Sequence, residues 1–434
     1  MAYIRYILIL FFALSSLAVG ERVSFEALKD ELLKRNLKIK ISKKEIDIVK
    51  EKHKVERSHL FPTVKMNFYN EFIKDLRNLP AYIEGQYYIG NTGYSSSLSF
   101  SIDYELFDFG SRKYRLKMFK ASIDTSKENL IYAQQEQILN LLDRYYKALI
   151  NQYKLKRLNQ LRSLYIDLYK LKQRLYKAGI IPKEDFVNVT IKLAEVSTQI
   201  EEIKKNQNSI INEISFLVDK KLIDPFFEDF KQTLIEKNSI CVENLPEVAV
   251  YDKKIKEKKY QLRSTKLQFF PRVQLFGIYS LSNFNEDEYF RAVEGLQPVN
   301  WRIGFAVRFT IFNGFKTVHS VMQIKKEIEK LRLERLMVLR KKKYEIKTDY
   351  MKLEQNHFVL KQINTKLEKL IENLRDKEKL YDAGKESKIS VIQKQINIVN
   401  EKLNLELKNI ENLFIAKKLK ILKEFSVEHR FSSN

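Results

Sequence analysis

The sequence predicts an α+β chain, mainly α, made of two copies of one unit: a helix, a pair of strands, a very long helix and a helix that returns. Three observations predict it. Arg112 to Ala178 runs 67 positions without glycine or proline, far beyond the roughly 11–12 residues of an average globular helix. Two runs, each just ahead of such a stretch, alternate between apolar and polar side chains, which is the period of a strand. Landmarks also recur. Phe107-Asp108 returns as Phe312-Asn313, and Leu175-Tyr176-Lys177-Ala178-Gly179 returns as Leu380-Tyr381-Asp382-Ala383-Gly384, both 205 positions on. The two rods therefore share one length, about 100 Å if wholly helical at ~1.5 Å per residue.

The 434 residues have room for two or three ordinary domains. Charged residues make up 31%, yet large apolar residues abound, which argues against global disorder. The 11 glycines and 7 prolines cluster between the periodic segments, as a few long elements require. A net charge of +24 fits nucleic acid, anionic lipid or solvated lysine-rich helix faces. No zinc-finger, RNP or helix-turn-helix pattern is present, and a secretory leader argues against nucleic acid as a partner. Solvated faces carry most of the weight. Cys241 is the single cysteine, so no intrachain disulfide can form. His53, His59, His319, His357 and His429 are scattered, and no HExxH, GxSxG, Walker A or GxGxxG pattern occurs. The chain is expected to be no enzyme and to hold no metal or cofactor.

In order, residues 1–20 read as a signal peptide: Arg5, then apolar Ile7 to Leu14, then Ala18-Val19-Gly20 at the cleavage site. The apolar run is short of the roughly 20 residues a membrane span needs. Glu21, not cysteine, follows the cut, so no lipid is expected there. The first repeat covers 21–217. Ser24 to Leu60 reads as a helix closed by Pro62. Strands are expected at 62–69 and 97–107, with residues 70–94 as a loop. In the second of these, Leu98, Phe100, Ile102, Tyr104 and Leu106 oppose Ser97, Ser99, Ser101, Asp103 and Glu105. One apolar and one polar face over about 9–11 residues suits the wall of a transmembrane barrel; a soluble antiparallel sheet with one wet face shows the same alternation.

The long helix is expected at 111–178. Near its end Leu161, Leu164, Leu168, Leu171 and Leu175 step by three and four, a coiled-coil seam. Gly179 can take the left-handed conformation that ends a helix, with Pro182 just beyond. The return helix, 186–217, carries Val189, Val196, Ile203, Ile210 and Leu217 at heptad spacing, so Gly179 marks a hairpin tip. Residues 218–242 break the pattern as an equatorial linker. The second repeat covers 243–425: a helix closed by Pro271, strands at 272–281 and 300–312, a long helix at 315–383 and a return helix at 388–423. In the last strand Trp301, Ile303, Phe305, Val307, Phe309 and Ile311 face one way. Residues 426–434 read as a frayed tail.

Four strands cannot close a barrel, and open edges are not tolerated in lipid. Three chains supply twelve strands and a tube of helices. Here the helix–strand–strand–helix repeats, Phe-Asp or Phe-Asn with a nearby glycine at each strand-to-rod junction, and Tyr-x-Ala-Gly at each tip resemble the TolC family of outer-membrane efflux proteins, over essentially all of residues 21–425. The resemblance implies a trimeric channel-tunnel. Four strands per chain would join a shared 12-stranded β-barrel in outer-membrane lipid, above a periplasmic α-helical coiled-coil barrel. It implies the outer-membrane channel of a tripartite efflux pump or type I secretion system, a passive duct to which a periplasmic adaptor and an inner-membrane transporter dock. The rival is a periplasmic coiled-coil adaptor or scaffold, but adaptors use one long hairpin rather than two.

The resemblance also implies sites. Ala178, Gly179, Ile180 and Ile181, with Ala383, Gly384, Lys385 and Glu386, match adaptor-docking turns; Gly179 and Gly384 would end helices in any case. Asp185 matches an acidic position of the periplasmic gate. Ser390 and Gln393 stand where aspartates are common, which puts an acidic cation-binding ring in doubt and leaves a gate of polar contacts among the three. Arg302 and Arg308 are lumen candidates on the polar face of the last strand.

Overall fold

The computed structural model describes residues 21–74, 81–83, 86–88, 92–232 and 239–432. The leader at 1–20 and parts of the 70–94 loop and of the linker lie outside the described residues. In chain order the elements are β1 (Arg22–Val23), α1 (Phe25–Arg35), α2 (Leu37–Ser58), β2 (Thr63–Ile73), β3 (Ala81–Ile83), β4 (Gln86–Tyr88), β5 (Gly93–Phe107), α3 (Ser111–Lys177) and α4 (Lys183–Val218). There follow β6 (Phe226–Phe227), α5 (Pro246–Lys266), β7 (Arg272–Asn285), α6 (Tyr289–Glu294), β8 (Gln297–Arg308), α7 (Lys316–Asp382) and α8 (Lys388–Ser432). The rods α3 and α7 are both unbroken and both 67 residues long.

Several bounds differ from the expected ones, each for a local reason. The helix expected from Ser24 to Leu60 is two helices, split at Asn36, whose side-chain oxygen accepts from Lys38 N at 3.0 Å and Ile39 N at 3.2 Å. Its amide donates to the Leu217 carbonyl at 2.8 Å, so one side chain caps α2 and satisfies the end of α4. The first strand pair extends into the expected loop, because Ile73 still pairs with Gly93 and the Phe72 and Tyr94 rings pack 5.1 Å apart. The other loop holds α6, and β8 ends at Arg308 rather than 312 because its partner strand begins at Arg272. The return helices start at Lys183 and end as late as Ser432. The tail continues as helix because it has no breaker and the buried Ser426 hydroxyl bonds the Lys423 carbonyl at 2.8 Å.

The described chain divides into two compact units. In the unit of residues 45–126 and 251–334, four antiparallel strands run in the order β2-β5-β7-β8. Alternation puts Val64, Met66 and Phe68 on the same face as Phe100, Ile102, Trp301, Ile303, Phe305 and Val307. Trp301, Ile303, Phe305 and Val307 are each two-thirds or more exposed. Burying each would contribute about 1.5–3 kcal/mol, so the face is unfinished in one chain. Across the other face the Phe276 ring lies over Gly304, where an added Cβ would come within 3.0 Å of it; that covering helps to hold the register. The helices attached to neighbouring strands meet through Arg115 and Glu56, through Ser111 and Ser264, and through Lys258 and Glu327 at 2.7 Å.

In the other unit, β1 pairs in parallel with β6, drawing the linker onto the chain start. The buried Tyr145 hydroxyl shares its proton between the carbonyls of Val23, 2.9 Å away, and Glu228, 2.6 Å away. Burial pushes its pKa up. Phe25, Phe227 and Phe230 pack around its ring. Residues 226–230 of the linker are thus pinned to the core. Leu158, Leu161, Leu168, Val189, Val196 and Ile200 form the predicted seam between α3 and α4, joined by Ile392 and Ile396 of α8. Arg157 ties α3 to Glu406 of α8 with two hydrogen bonds. Along the second hairpin Lys366 meets Glu401 at 2.8 Å and Lys418 meets Asp349 at 2.7 Å.

Candidate functional site

The two hairpin tips are built alike. Gly179 has φ +72° and Gly384 φ +71°, the left-handed region that costs other L-residues about 1–2 kcal/mol. Gly179 N donates to Tyr176 O and Ile180 N to Leu175 O, both at 2.9 Å. Gly384 N donates to Tyr381 O at 2.9 Å and Lys385 N to Leu380 O at 2.8 Å. This pair of bonds is the Schellman closure, which satisfies the last carbonyls of each rod. Ala178, Gly179, Ile180, Ala383, Gly384 and Lys385 are all exposed, while Ile181 and Glu386 are half-buried.

What clamps each tip differs, and the repeat pattern did not reveal it. At the first, the rings of Tyr176 and Phe186 stack 5.5 Å apart, 4° from parallel. Lys172 there reaches Asp185, with Nζ 3.5 Å from a carboxylate oxygen and donating to the Asp185 carbonyl at 3.2 Å. At the second, Lys377 bonds Glu386, which also accepts from Ser387 N at 3.2 Å. Lys377 above all, then the Ser387 amide, hold the Glu386 carboxyl below its ordinary pKa, and the Ser390 hydroxyl adds to the effect. Ser387 caps α8 by accepting from Ser390 N at 3.2 Å.

Asp185 is therefore committed to Lys172, and no hydrogen bond or ion pair among the described residues joins it to Ser390 or Gln393. Gln393 is exposed on the first turns of α8. A polar gate among the three is not formed inside one chain. Arg302 and Arg308 are both exposed on β8, opposite Ile278 and Arg272 respectively. At the strand-to-rod junctions, Asp108 accepts from Gly110 N at 3.0 Å and from Arg112 N, whereas Asn313 donates to Thr317 Oγ1 at 2.7 Å. Among the described residues no helix is long and apolar enough to cross a membrane, and no cluster of three His, Cys, Asp or Glu could hold a metal ion.

The outer membrane efflux protein family matches residues 28–218. No curated protein matches the chain. Among solved structures, the Campylobacter jejuni CmeC outer membrane channel is similar at 15% identity and a TM-score of 0.76, covering 93% of this chain and 85% of that one. The outer membrane protein VceC of Vibrio cholerae is similar at 13% identity and a TM-score of 0.74, covering 92% and 96%. The open Neisseria gonorrhoeae MtrE outer membrane channel is similar at 15% identity and a TM-score of 0.72, covering 92% and 88%. At these identities the likeness is one of fold, and it extends through both repeats. The sequence match to the outer membrane efflux protein family covers the first repeat, and the α+β, mainly α fold shared with these outer-membrane channels extends over both.

Proposed function

We propose that this chain works as a homotrimer, the outer-membrane duct of a tripartite efflux pump or type I secretion system. The carrying observation is the four-stranded sheet with two free edges, β2 and β8, and an apolar face left open. Three copies would join edge to edge into a closed wall of twelve strands, which removes both the edges and the exposed face from water. The helical hairpins would enclose a water-filled path in the periplasm, and an adaptor bound to an inner-membrane transporter would dock at the tips around Gly179 and Gly384. Substrates would pass passively, with the docked transporter supplying the energy. Closure at the tips would then use contacts between copies, with Asp185, Ser390 and Gln393 at the narrowest ring and Arg302 and Arg308 on the wall of the duct.

Native mass in detergent together with planar-bilayer conductance tests this reading. Three copies and a pore that is not strongly cation-selective are expected. A monomer that stays soluble without detergent and makes no pore would overturn it and return the adaptor or scaffold reading.

A further inference from the structure

We infer that the cavity between the start of β7 and the end of β8 binds an anionic amphiphile, a phosphate or carboxylate carried on an apolar body. The cavity is about 640 Å³, and it lies wholly within the unit that carries the sheet. Its charged lining residues are Arg272, Arg308 and Lys316, and no carboxylate lines it. Arg272 and Arg308 are directly opposed across the β7–β8 ladder, where like charges lie about 4.5–5.5 Å apart at Cβ and destabilise the pair. Arg272 has one distant acid, Glu105 at 3.9 Å. Neither Arg308 nor Lys316 makes an ion pair among the described residues. An anion between the two guanidinium groups would relieve the repulsion, and their planar forks suit carboxylate or phosphate oxygens.

The remaining wall selects the rest of the ligand. Phe269, Phe270 and Phe312 open onto the same cavity and are each about half exposed or more. A small inorganic anion would leave these rings in water. An anion with an alkyl or aromatic body covers them while its head meets the arginines. Such a ligand could be a resident anionic lipid or a soluble solute; the head and body are the same chemistry in both.

The test uses the full-length protein in dodecyl maltoside, whose uncharged head serves as the apolar control, with dodecyl phosphate titrated by calorimetry. Saturable binding is expected. Arg308→Gln should weaken it about tenfold, the loss of one charge-assisted contact, and Arg308→Lys should restore most of it. Equal binding by wild type and Arg308→Gln would overturn the site, and inorganic phosphate binding as tightly as dodecyl phosphate would overturn the apolar half. Native mass spectrometry of protein taken from membranes separates the sources. An anionic phospholipid retained by wild type and lost from Arg308→Gln marks a resident lipid, and dodecyl phosphate binding without such a lipid marks a solute. Binding is read without transport, so a failed pore assay and a failed titration are distinct results.

Discussion

Lys172 and Lys377 occupy one place in the two repeats, 205 residues apart, yet each crosses its hairpin to a carboxylate at a different height. Lys172 takes Asp185, and Lys377 takes Glu386. The position that repeats Asp185 is Ser390, and the one that repeats Glu386 is Ile181. The acid stands four residues nearer the tip in the second copy, and the lysine, at the same place in both, reaches to it there.

The second latch should depend on pH. Lys377 holds the folded-state pKa of Glu386 below its ordinary value of 4.5. A lowered carboxyl pKa stabilises at pH values above the unfolded value and loses that contribution as pH falls through the folded one. Amide exchange at Lys385–Ser390, corrected for intrinsic rate, should therefore accelerate as pH falls below 4.5, and Lys377→Gln should abolish the change. Equal protection at pH 6 and pH 3 would show that the pair does not hold the tip.

Moving the acid should move the latch. In the first repeat, the double variant Ile181→Glu, Asp185→Ser places the carboxylate where Glu386 lies in the second. In that variant the first tip should loosen at low pH as the second does. The Tyr176–Phe186 stack, which carries no charge, should leave residual protection at every pH. A first tip whose protection does not change with pH in the double variant would refute the register explanation.

The proposed docking at the tips can be separated from folding through the glycines. An added Cβ at Gly179 or Gly384 meets nothing within 4 Å, so the cost of substitution is the positive φ alone, about 1–2 kcal/mol and less for asparagine. Gly384→Asn should fold, trimerise and transport. Gly384→Trp should fold with a similar melting temperature and lose adaptor cross-linking and transport. Transport that persists in Gly384→Trp with adaptor binding intact removes the tips from the docking surface.

The sequence was most legible where one physical rule acts over many residues. A rod of 67 residues without breakers, strands of strict alternation and a glycine at each tip state their structure locally, and duplication let each copy check the other. It was least legible where one distant partner decides. The break at Asn36 needs the Leu217 carbonyl, 181 residues away, and no helix breaker marks it. The pinning of the linker needs Tyr145 under it and β1 beside it. At the candidate gate, the departure of Ser390 from an acidic pattern was legible. The displaced partner Glu386 was not, because only the hairpin shows which carboxylate a lysine can reach.

Asn36 supplies a direct measure of that hidden contact. Asn36→Ala removes two accepted hydrogen bonds at the start of α2 and leaves the Leu217 carbonyl without its donor. Losing a cap costs about 0.5–2 kcal/mol, and an unpaired carbonyl about 1–3 kcal/mol more if water cannot reach it. Thermal unfolding should shift down accordingly. Asn36→Asp keeps the cap but turns a carboxylate oxygen towards the Leu217 carbonyl, so it should fall between wild type and alanine only if the two accepted bonds outweigh that repulsion. A ranking with Asp below Ala would mean that the contact with Leu217 outweighs the cap.

The sheet makes the sharpest distinction between neighbouring positions. Ile303 is on the apolar face opposite Gly277, with no side chain from that partner to cover it. Ala306, three residues on, is on the other face opposite Gln274. If the apolar face meets lipid, Ile303→Arg carries a charge into hydrocarbon at a cost of about 2–4 kcal/mol near the midplane, in each of three copies. Ala306→Arg keeps its charge among polar side chains and in water. Ile303→Arg should therefore deplete the folded oligomer from the outer-membrane fraction while Ala306→Arg assembles near wild-type levels. The reverse ranking would place the polar face against lipid, and equal loss from both would mean that steric closure of the wall, rather than the identity of its faces, limits assembly.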